Sequence, residues 1–356
     1  MIGKLARAVV LAAALVLAPA GWSARSGAQP TLSQLVGQTI LARMRGTVPS
    51  ASFLRRVRQG QIGGLVLFSD NYGPAGPAAL VARLQQAARD GGQPPLLIAI
   101  DQEGGIVKRL AGAPTLAPPE MTSAALAQSQ GLAAARNLLR NGVDVDLAPV
   151  CDVGRGGFIT PRTFGATPAA VAVRCTAFGR GLALGHVAAT AKHFPGLGYA
   201  ATTTDTGAIT VTASRAMLQA DLAPFRAAIA AHVPLVMVST AVYPALGPAV
   251  PAATSKPIVQ GILRGRLGYR GVAITDALDT PAVARYYRTG IASVRALQAG
   301  ADAVIAAGVT PTDADTASTS AYNAELAAAE AGTLPRATLM ASYRRILALK
   351  QSLPHG

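Results

Sequence analysis

The sequence predicts an α/β fold, a TIM-type (β/α)8 barrel with one weak or irregular strand. Short apolar runs alternate with helical segments along nearly the whole chain. At least five of these runs end in polar residues, as expected when one site is built from the loops at the ends of many strands. No Gly-x-Gly-x-x-Gly opens a first strand–helix unit, which disfavours an open doubly wound sheet with its ligand at a single crevice. No second domain, low-complexity linker or solenoid repeat interrupts the pattern, so residues 29–356 read as one domain.

Taken in order, 31–45 has the apolar spacing of a helix. GGLVLF at 63–68 is a strand and 75–89 a helix. LLIAI before Asp101 is a strand, followed by an Ala-rich helix at 123–140 and the strand VDVDLAP at 143–149. Helix 168–184 leads to AATAKHF at 188–194, and helix 212–230 to LVMVST at 235–240. The Ala/Gly/Pro-rich stretch 241–257 reads as a long strand-to-helix loop on the active face. Helix 256–266, strand GVAIT at 271–275, helix 283–298, strand ADAVIAA at 301–307 and a helix near 335–349 complete the chain. Short runs apolar on both faces are what a parallel sheet covered by helices requires. Seven strands are visible, and an eighth must be weak or hidden near the start.

Composition agrees with a large Ala-rich core. Hydrophobic residues make up 51%, charged residues 14% and aromatics 4%, which excludes a disordered chain. Residues 1–28 read as an export signal, with Lys4 and Arg7 ahead of the apolar run 9–17 and small residues after it. That run is too short for a membrane span. Cleavage is expected between Ala20 and Ala28, giving a periplasmic, cell-envelope or extracellular protein with no stable membrane span. Cys151 and Cys175 are the two cysteines, and the sequence leaves a disulfide and two buried thiols equally open. The net charge is +15, from 32 Lys and Arg against 17 Asp and Glu. The bases are dispersed and are not interleaved with aromatics, which argues against a nucleic-acid platform. They make a basic surface that would be attracted to anionic envelope polymers.

The candidate chemistry sits at the strand ends. In GVAITDAL at 271–278, Asp276 falls where an apolar run stops. A carboxylate there is costly unless hydrogen-bonded, paired or used, although an Asp in this position could also cap a following helix. Asp101 and Glu103 end a second run, Asp144, Asp146 and Asp152 belong to a third, and Lys192 and His193 lie at the end of a fourth. Asp144 and Asp146 alternate along their strand, so the one nearer the barrel mouth would support the site. His193 could equally be a satisfied core histidine, Lys192 a partner for a carboxylate, and Arg109 a solvated residue. No metal cluster or nucleotide-binding loop is visible.

In their order, LLIAIDQEGGIVKRL, DLAPVCDV, PRTFG, AKHFPGLG, VMVSTAVYPAL and GVAITDAL resemble glycoside hydrolase family 3, and within it the single-domain β-N-acetylhexosaminidases of peptidoglycan recycling. The likeness covers roughly 31–350. It implies a retaining β-glycosidase that releases N-acetylglucosamine from cell-wall-derived saccharides and needs no cofactor or metal. Asp276 matches the family's nucleophile, whose task is to attack the anomeric carbon. Asp101, Arg109, Arg162, Lys192 and His193 match groups that hold the sugar, with the planar fork of Arg162 suited to two acceptors. Glu103 would shape its turn and Asp152 its loop.

The departures are chemical. Family members carry a loop histidine as general acid/base, oriented by an aspartate two residues earlier. Asp205 matches that aspartate, but Gly207 stands at the histidine. Leu197 and Thr240 replace two further histidines of the pattern. None of His186, His193, His232 and His355 is placed by the motif to substitute for position 207. Asp205 itself is then the candidate acid, its proton retained by an apolar setting that Leu197 and Tyr199 would supply. The alternatives are a carbohydrate-binding or regulatory pseudoenzyme with little turnover, or a β-glucosidase-like specificity. The oligomeric state is not legible.

Overall fold

In the computed structural model, residues 29–308 and 314–354 are described; the expected signal segment and His355 lie outside them. Eight parallel strands close a barrel: β1 (Ile40–Ala42), β2 (Gly64–Val66), β3 (Leu97–Ile100), β6 (Val145–Asp146), β7 (Ala188–Phe194), β8 (Leu235–Val238), β9 (Val272–Ala277) and β10 (Ala303–Ala306). β4 (Gln102–Gly104) and β5 (Val107–Lys108) form a small antiparallel hairpin beyond the end of β3.

The hidden eighth strand is β1, and it corrects the helix expected over 31–45. Helix α1 (Leu32–Thr39) starts at a Thr31 capping box with Gln34 and stops at Ile40, whose φ of −95° and ψ of 116° are extended. Ile40–Ala42 then pairs with β10 on one side and β2 on the other. Three residues are too few to carry a periodic signal. Closure of the barrel, which leaves no unpaired edge, overrides the local helical spacing.

Side chains alternate as the pleat requires. Leu41, Val66, Leu97, Val145, Leu235 and Ile274 are among those that fill the barrel interior, while neighbours such as Ile40, Leu65, Ile98 and Val236 pack under the helices. The outer layer contains α2 (Ala51–Arg58), α3 (Ala78–Asp90), α4 (Ala124–Arg140), α5 (Pro168–Leu184), α6 (Arg215–Asp221), α7 (Ala223–Ala230), a π-helical segment (Pro257–Arg266), α8 (Pro281–Ala284), α9 (Thr289–Ala299), α10 (Ala314–Glu330) and α11 (Arg336–Gln351). The expected helices over 212–230 and 283–298 are each split in two. α2 and α10 were not anticipated. α2 is short and arginine-rich, and α10 has a Ser/Thr-rich first half that dilutes the helical signal.

Small residues replace aromatics as packing elements. A Cβ on Gly131 of α4 would lie 2.2 Å from the Phe178 carbonyl oxygen, and one on Gly181 of α5 would lie 2.1 Å from that of Gln128. The two helix backbones therefore touch where glycine removes the side chain. Cys151 and Cys175 are free, buried thiols. At the N-terminal face of the barrel, the Lys350 ammonium donates to Gln38 Oε1 at 2.6 Å and to the Gly63 carbonyl at 2.8 Å. Burial pushes its pKa down to about 7.

Glu325 of α10 is fully buried and accepts a 2.5 Å hydrogen bond from the Thr39 hydroxyl. Burial pushes its carboxyl up to about 8, against the pull of the Thr39 and Ser293 hydroxyls. Between about pH 4 and pH 8 the folded chain keeps a proton that the unfolded chain has released, so this group makes stability fall as pH rises. Glu325→Gln is expected to melt close to the wild type at pH 4 and several degrees above it at pH 8.5. Equal differences at both pH values in a thermal melt would exclude Glu325 as a source of this slope.

Candidate active site

The C-terminal ends of the strands open onto a cavity of about 390 Å³. Val66, Leu147, Met237 and Ile305 form its apolar floor, and loop residues build the wall. The barrel brings all seven sequence-predicted residues, Asp101, Arg109, Arg162, Lys192, His193, Asp205 and Asp276, to this one cavity.

Lys192 is the centre of its charged side. Its ammonium lies 2.7 Å from Asp101 Oδ1 and 2.6 Å from Glu103 Oε1. Arg162 grips Glu103 with its fork, Nη2 to Oε1 at 2.7 Å and Nε to Oε2 at 2.8 Å. Arg109 approaches the outer oxygen of Asp101 at 3.8 Å. Burial alone would neutralise the two carboxyls, but Lys192, with Arg109 and Arg162 for Asp101 and Arg162 for Glu103, holds both below the ordinary range. Burial would likewise weaken Lys192 as a base, yet Asp101 and Glu103 raise its pKa above that of a free lysine. The group therefore stays ionised, with three cations around two carboxylates.

The hairpin makes this possible. Gly104 has φ +96°, and a Cβ there would sit 2.4 Å from the Leu116 carbonyl oxygen, so only glycine lets the turn press back on the site. Behind the hairpin, one Asp146 oxygen accepts the Gln102 amide at 3.0 Å. Burial, opposed by that amide and by Lys192, pushes Asp146 up to about 8. Asp144 lies at the other end of β6 and accepts the Ile98 amide at 2.7 Å. Of this pair, Asp146 is the one that supports the mouth.

His193 is not a passive core residue. Its Nδ1 lies 2.7 Å from Asp152 Oδ2, which orients the ring, and the side chain lines the cavity. The other Asp152 oxygen accepts the Leu197 amide at 2.7 Å, which fixes the loop after β7. Asp276 occupies the end of β9, with one oxygen accepting the Ala277 amide at 2.8 Å. Burial raises its pKa, His193 and Lys192 lower it, and the negative charge of Asp205 raises it further.

Two expectations need correction. Asp205 does not sit in an apolar setting made by Leu197 and Tyr199. It is exposed and accepts a 2.9 Å hydrogen bond from the Thr203 hydroxyl. Leu197 is buried, and the Tyr199 ring faces Arg155, whose guanidinium carbon is 5.3 Å from the ring centroid. A solvent-exposed polar loop next to this aspartate wins over the apolar neighbours suggested by sequence proximity. Glu103 does more than shape a turn, because it binds Arg162 and Lys192 together. The fork of Arg162 thus already has a carboxylate partner within the protein.

The sequence reading also missed one wall. Arg43, just past β1, pairs with Asp70 at 2.6 Å and lies 4.0 Å over the Phe68 ring. It lines the cavity together with Asp279. Asp279 accepts the Ala307 amide at 3.1 Å, and burial raises its pKa despite the backbone donors around it. Arg43 was hidden because its strand was. Asp279 was open to detection as a second carboxylate three residues beyond Asp276.

A cavity at the C-terminal face of a parallel barrel, lined by carboxylates and paired cations from several strand ends, is where enzymes of the barrel class carry their active site. The glycosyl hydrolase family 3 N-terminal domain matches residues 31–349, and the chain belongs to this family of glycoside hydrolases. An uncharacterized secreted glycosyl hydrolase of Arthroderma benhamiae is 32% identical, over 90% of this chain and 94% of that protein. A beta-hexosaminidase of Xanthomonas oryzae pv. oryzae is 37% identical, over 75% and 82%. The family 3 beta-N-acetylglucosaminidase of a Paenibacillus species superposes with a TM-score of 0.85 and 36% identity. The alignment covers 91% of this chain but 63% of that longer protein. A beta-N-acetylhexosaminidase from Beutenbergia cavernae gives a TM-score of 0.80 and 30% identity, covering 91% of this chain and 99% of the other. Among the described residues, no helix is long and apolar enough to cross a membrane.

Removing one member of the buried charge group should be costly, because the others remain without compensation. Glu103→Ala is expected to lower unfolding free energy by roughly 3 kcal/mol or more, with Glu103→Gln intermediate. Urea denaturation measures this, and a loss below about 1 kcal/mol for the alanine variant would mean that water replaces the carboxylate.

Proposed function

We propose that this chain is an exported retaining β-glycosidase that releases β-linked N-acetylglucosamine from cell-wall-derived saccharides. The observation that carries the reading is the convergence of Asp276, at the end of β9, with the Asp101–Lys192–Arg162 side of the same cavity. Asp276 acts as nucleophile: a carboxylate oxygen bonds to the anomeric carbon as the glycosidic C–O bond breaks, and water then opens the glycosyl-enzyme. Asp101 accepts hydrogen bonds from sugar hydroxyls, while Lys192, Arg109 and His193 donate to sugar oxygens. Arg162 supports the same region and holds Glu103 in place. Asp205 serves as the acid/base, working from the exposed loop beside Asp276.

Asp276→Ala should fold, lose roughly 10³-fold or more in turnover, and no longer be labelled by a slow mechanism-based N-acetylglucosaminide. Undiminished labelling of that variant would exclude Asp276 as nucleophile. The acid limb of kcat/KM should lie above the ordinary carboxyl range, because Asp276 must be ionised and burial raises its pKa. Asp205→Asn removes the carboxyl proposed to hold the proton during cleavage. The same substitution should reduce turnover of poor leaving groups by roughly 10²–10⁴-fold while sparing activated ones. Equal losses across a leaving-group series would remove Asp205 from the acid role.

Gly207 favours a second reading, a sugar-binding protein with little turnover, because it has no proton to give. Its position is sterically open, since a Cβ there meets nothing within 4 Å. Sugar binding by calorimetry with no turnover of aryl N-acetylglucosaminides or β-glucosides would establish that reading, whereas faster turnover of β-glucosides would change the glycon. For export, mass spectrometry of the protein from its native host should give an N-terminus between Gly21 and Gln29. An intact chain beginning at Met1 in the cytoplasm would refute it.

A further inference from the structure

A second cavity, of about 600 Å³, opens at the other end of the barrel, beside the starts of β9 and β10 and against α11. Its charged lining is three arginines, Arg264, Arg270 and Arg345, and one carboxylate, Asp302. Asp302 is buried just ahead of β10, and both of its oxygens are occupied. One accepts the Ser342 hydroxyl at 3.0 Å and Arg345 Nη1 at 2.6 Å. The other accepts the Ala273 amide at 2.9 Å and Arg264 Nη2. Two lone-pair directions on each oxygen leave it nothing further to accept. Arg264 is equally occupied: it is buried, and besides Asp302 its guanidinium donates to the carbonyls of Tyr269, Gly271 and Gly300. Arg345 has one corner tied to Asp302 and keeps Nε and Nη2 free of protein partners, and exposed Arg270 pairs with nothing among the described residues. Two guanidinium groups with open donors thus line a cavity whose one carboxylate is already satisfied.

We propose that this cavity binds a sugar phosphate, with its phosphate monoester held between Arg270 and Arg345. The site is separate from the catalytic cavity and does not depend on the glycosidase reading. Charge selects the anion. Three arginines against one carboxylate leave the lining with a net positive charge of two. A phosphate monoester brings a charge of about −1.5 to −2 near neutral pH, with three acceptor oxygens. A carboxylate would match one guanidinium fork and leave the second cation without a partner. Because Asp302 fixes Arg345 before any ligand arrives, less freedom is lost on binding. Volume and wall chemistry select the rest of the molecule. Small residues, Gly265, Ala301, Ala337 and Ala341 among them, leave more room than a phosphate fills, and Gln260 and Thr338 put polar side chains on the wall. A Cβ on Gly300 would lie 2.7 Å from Gln260 Oε1, so glycine there is what admits the amide. A compact body carrying hydroxyls can pair with these groups, whereas an apolar one would bury them unpaired.

Calorimetry at neutral pH and fixed ionic strength tests this with glucose 6-phosphate, glucose 6-sulfate, glucuronate and inorganic phosphate. Glucose 6-phosphate should bind roughly 10-fold more tightly than the sulfate, which has the same shape but a single charge, and than glucuronate. Inorganic phosphate, lacking the sugar body, should bind more weakly than the sugar phosphate. Arg270→Gln, at an exposed position, should weaken binding of glucose 6-phosphate roughly 10-fold or more. Arg345→Lys keeps a cation beside Asp302 but removes the fork, and should weaken it roughly 5-fold. Thermal melting checks that both variants fold. Arg109→Gln, in the catalytic cavity, should leave the affinity unchanged. No binding of glucose 6-phosphate, equal affinity for the sulfate, glucuronate or inorganic phosphate, or undiminished binding in folded Arg270→Gln would overturn the proposal. Loss of binding in Arg109→Gln would overturn it as well, by moving the phosphate to the catalytic cavity.

Discussion

The site depends on a buried ammonium ion held between two carboxylates. Lys192 has one carboxylate on each side, at 2.7 and 2.6 Å, and each of those is held by an arginine. No member could be placed there alone, because an unpaired buried charge costs several kcal/mol. Together they stay ionised at the cavity wall. This set joins the hairpin after β3, the loop after β6 and the end of β7, so three adjacent barrel sectors share one geometry. The side chains that face the cavity are thereby held before any ligand arrives, which lowers the ordering required on binding.

A second constraint works on the opposite side of the same loops. Asp152 is fully buried and accepts hydrogen bonds from the His193 ring and the Leu197 amide. It ties an imidazole to the start of the segment that carries Asp205 and Gly207. The two halves of this segment consequently differ. Its first turn is anchored in the core, while the stretch from 201 onward is largely exposed. The proposed nucleophile sits on a rigid strand, and the proposed acid sits on the exposed part of the loop. That separation is physically sensible for a group that must meet both leaving group and water.

The unusual composition has its counterpart in the packing. With few aromatics, the helical layer closes by direct backbone contact at Gly131 and Gly181 and by Ala-rich faces. One of the few large aromatic contacts is Phe194 against Phe225, an edge-on pair with centroids 5.4 Å apart. Phe194 directly follows His193, so the ring pair helps fix the strand end that presents the cations.

By itself the sequence determined the barrel, because buried parallel strands must be short, apolar and separated by helices, and seven of eight announce themselves in that way. It also determined the cast of the cavity, since charged residues at the ends of apolar runs have few places to go other than a shared mouth. Only the tertiary structure decided the rest. β1 exists because barrel closure supplies two partners for three residues that have no strand signal of their own. Arg43 and Asp279 joined the cavity with the wall that closure creates. Glu103 proved central because its partners lie 59 and 89 residues away in the chain, at Arg162 and Lys192. Asp205 lost its expected apolar cover because its own stretch of loop stays exposed and Tyr199 faces Arg155, while Leu197 is buried in the cavity wall. Local pattern reports which face a residue prefers; which partner it meets there is set by long-range packing.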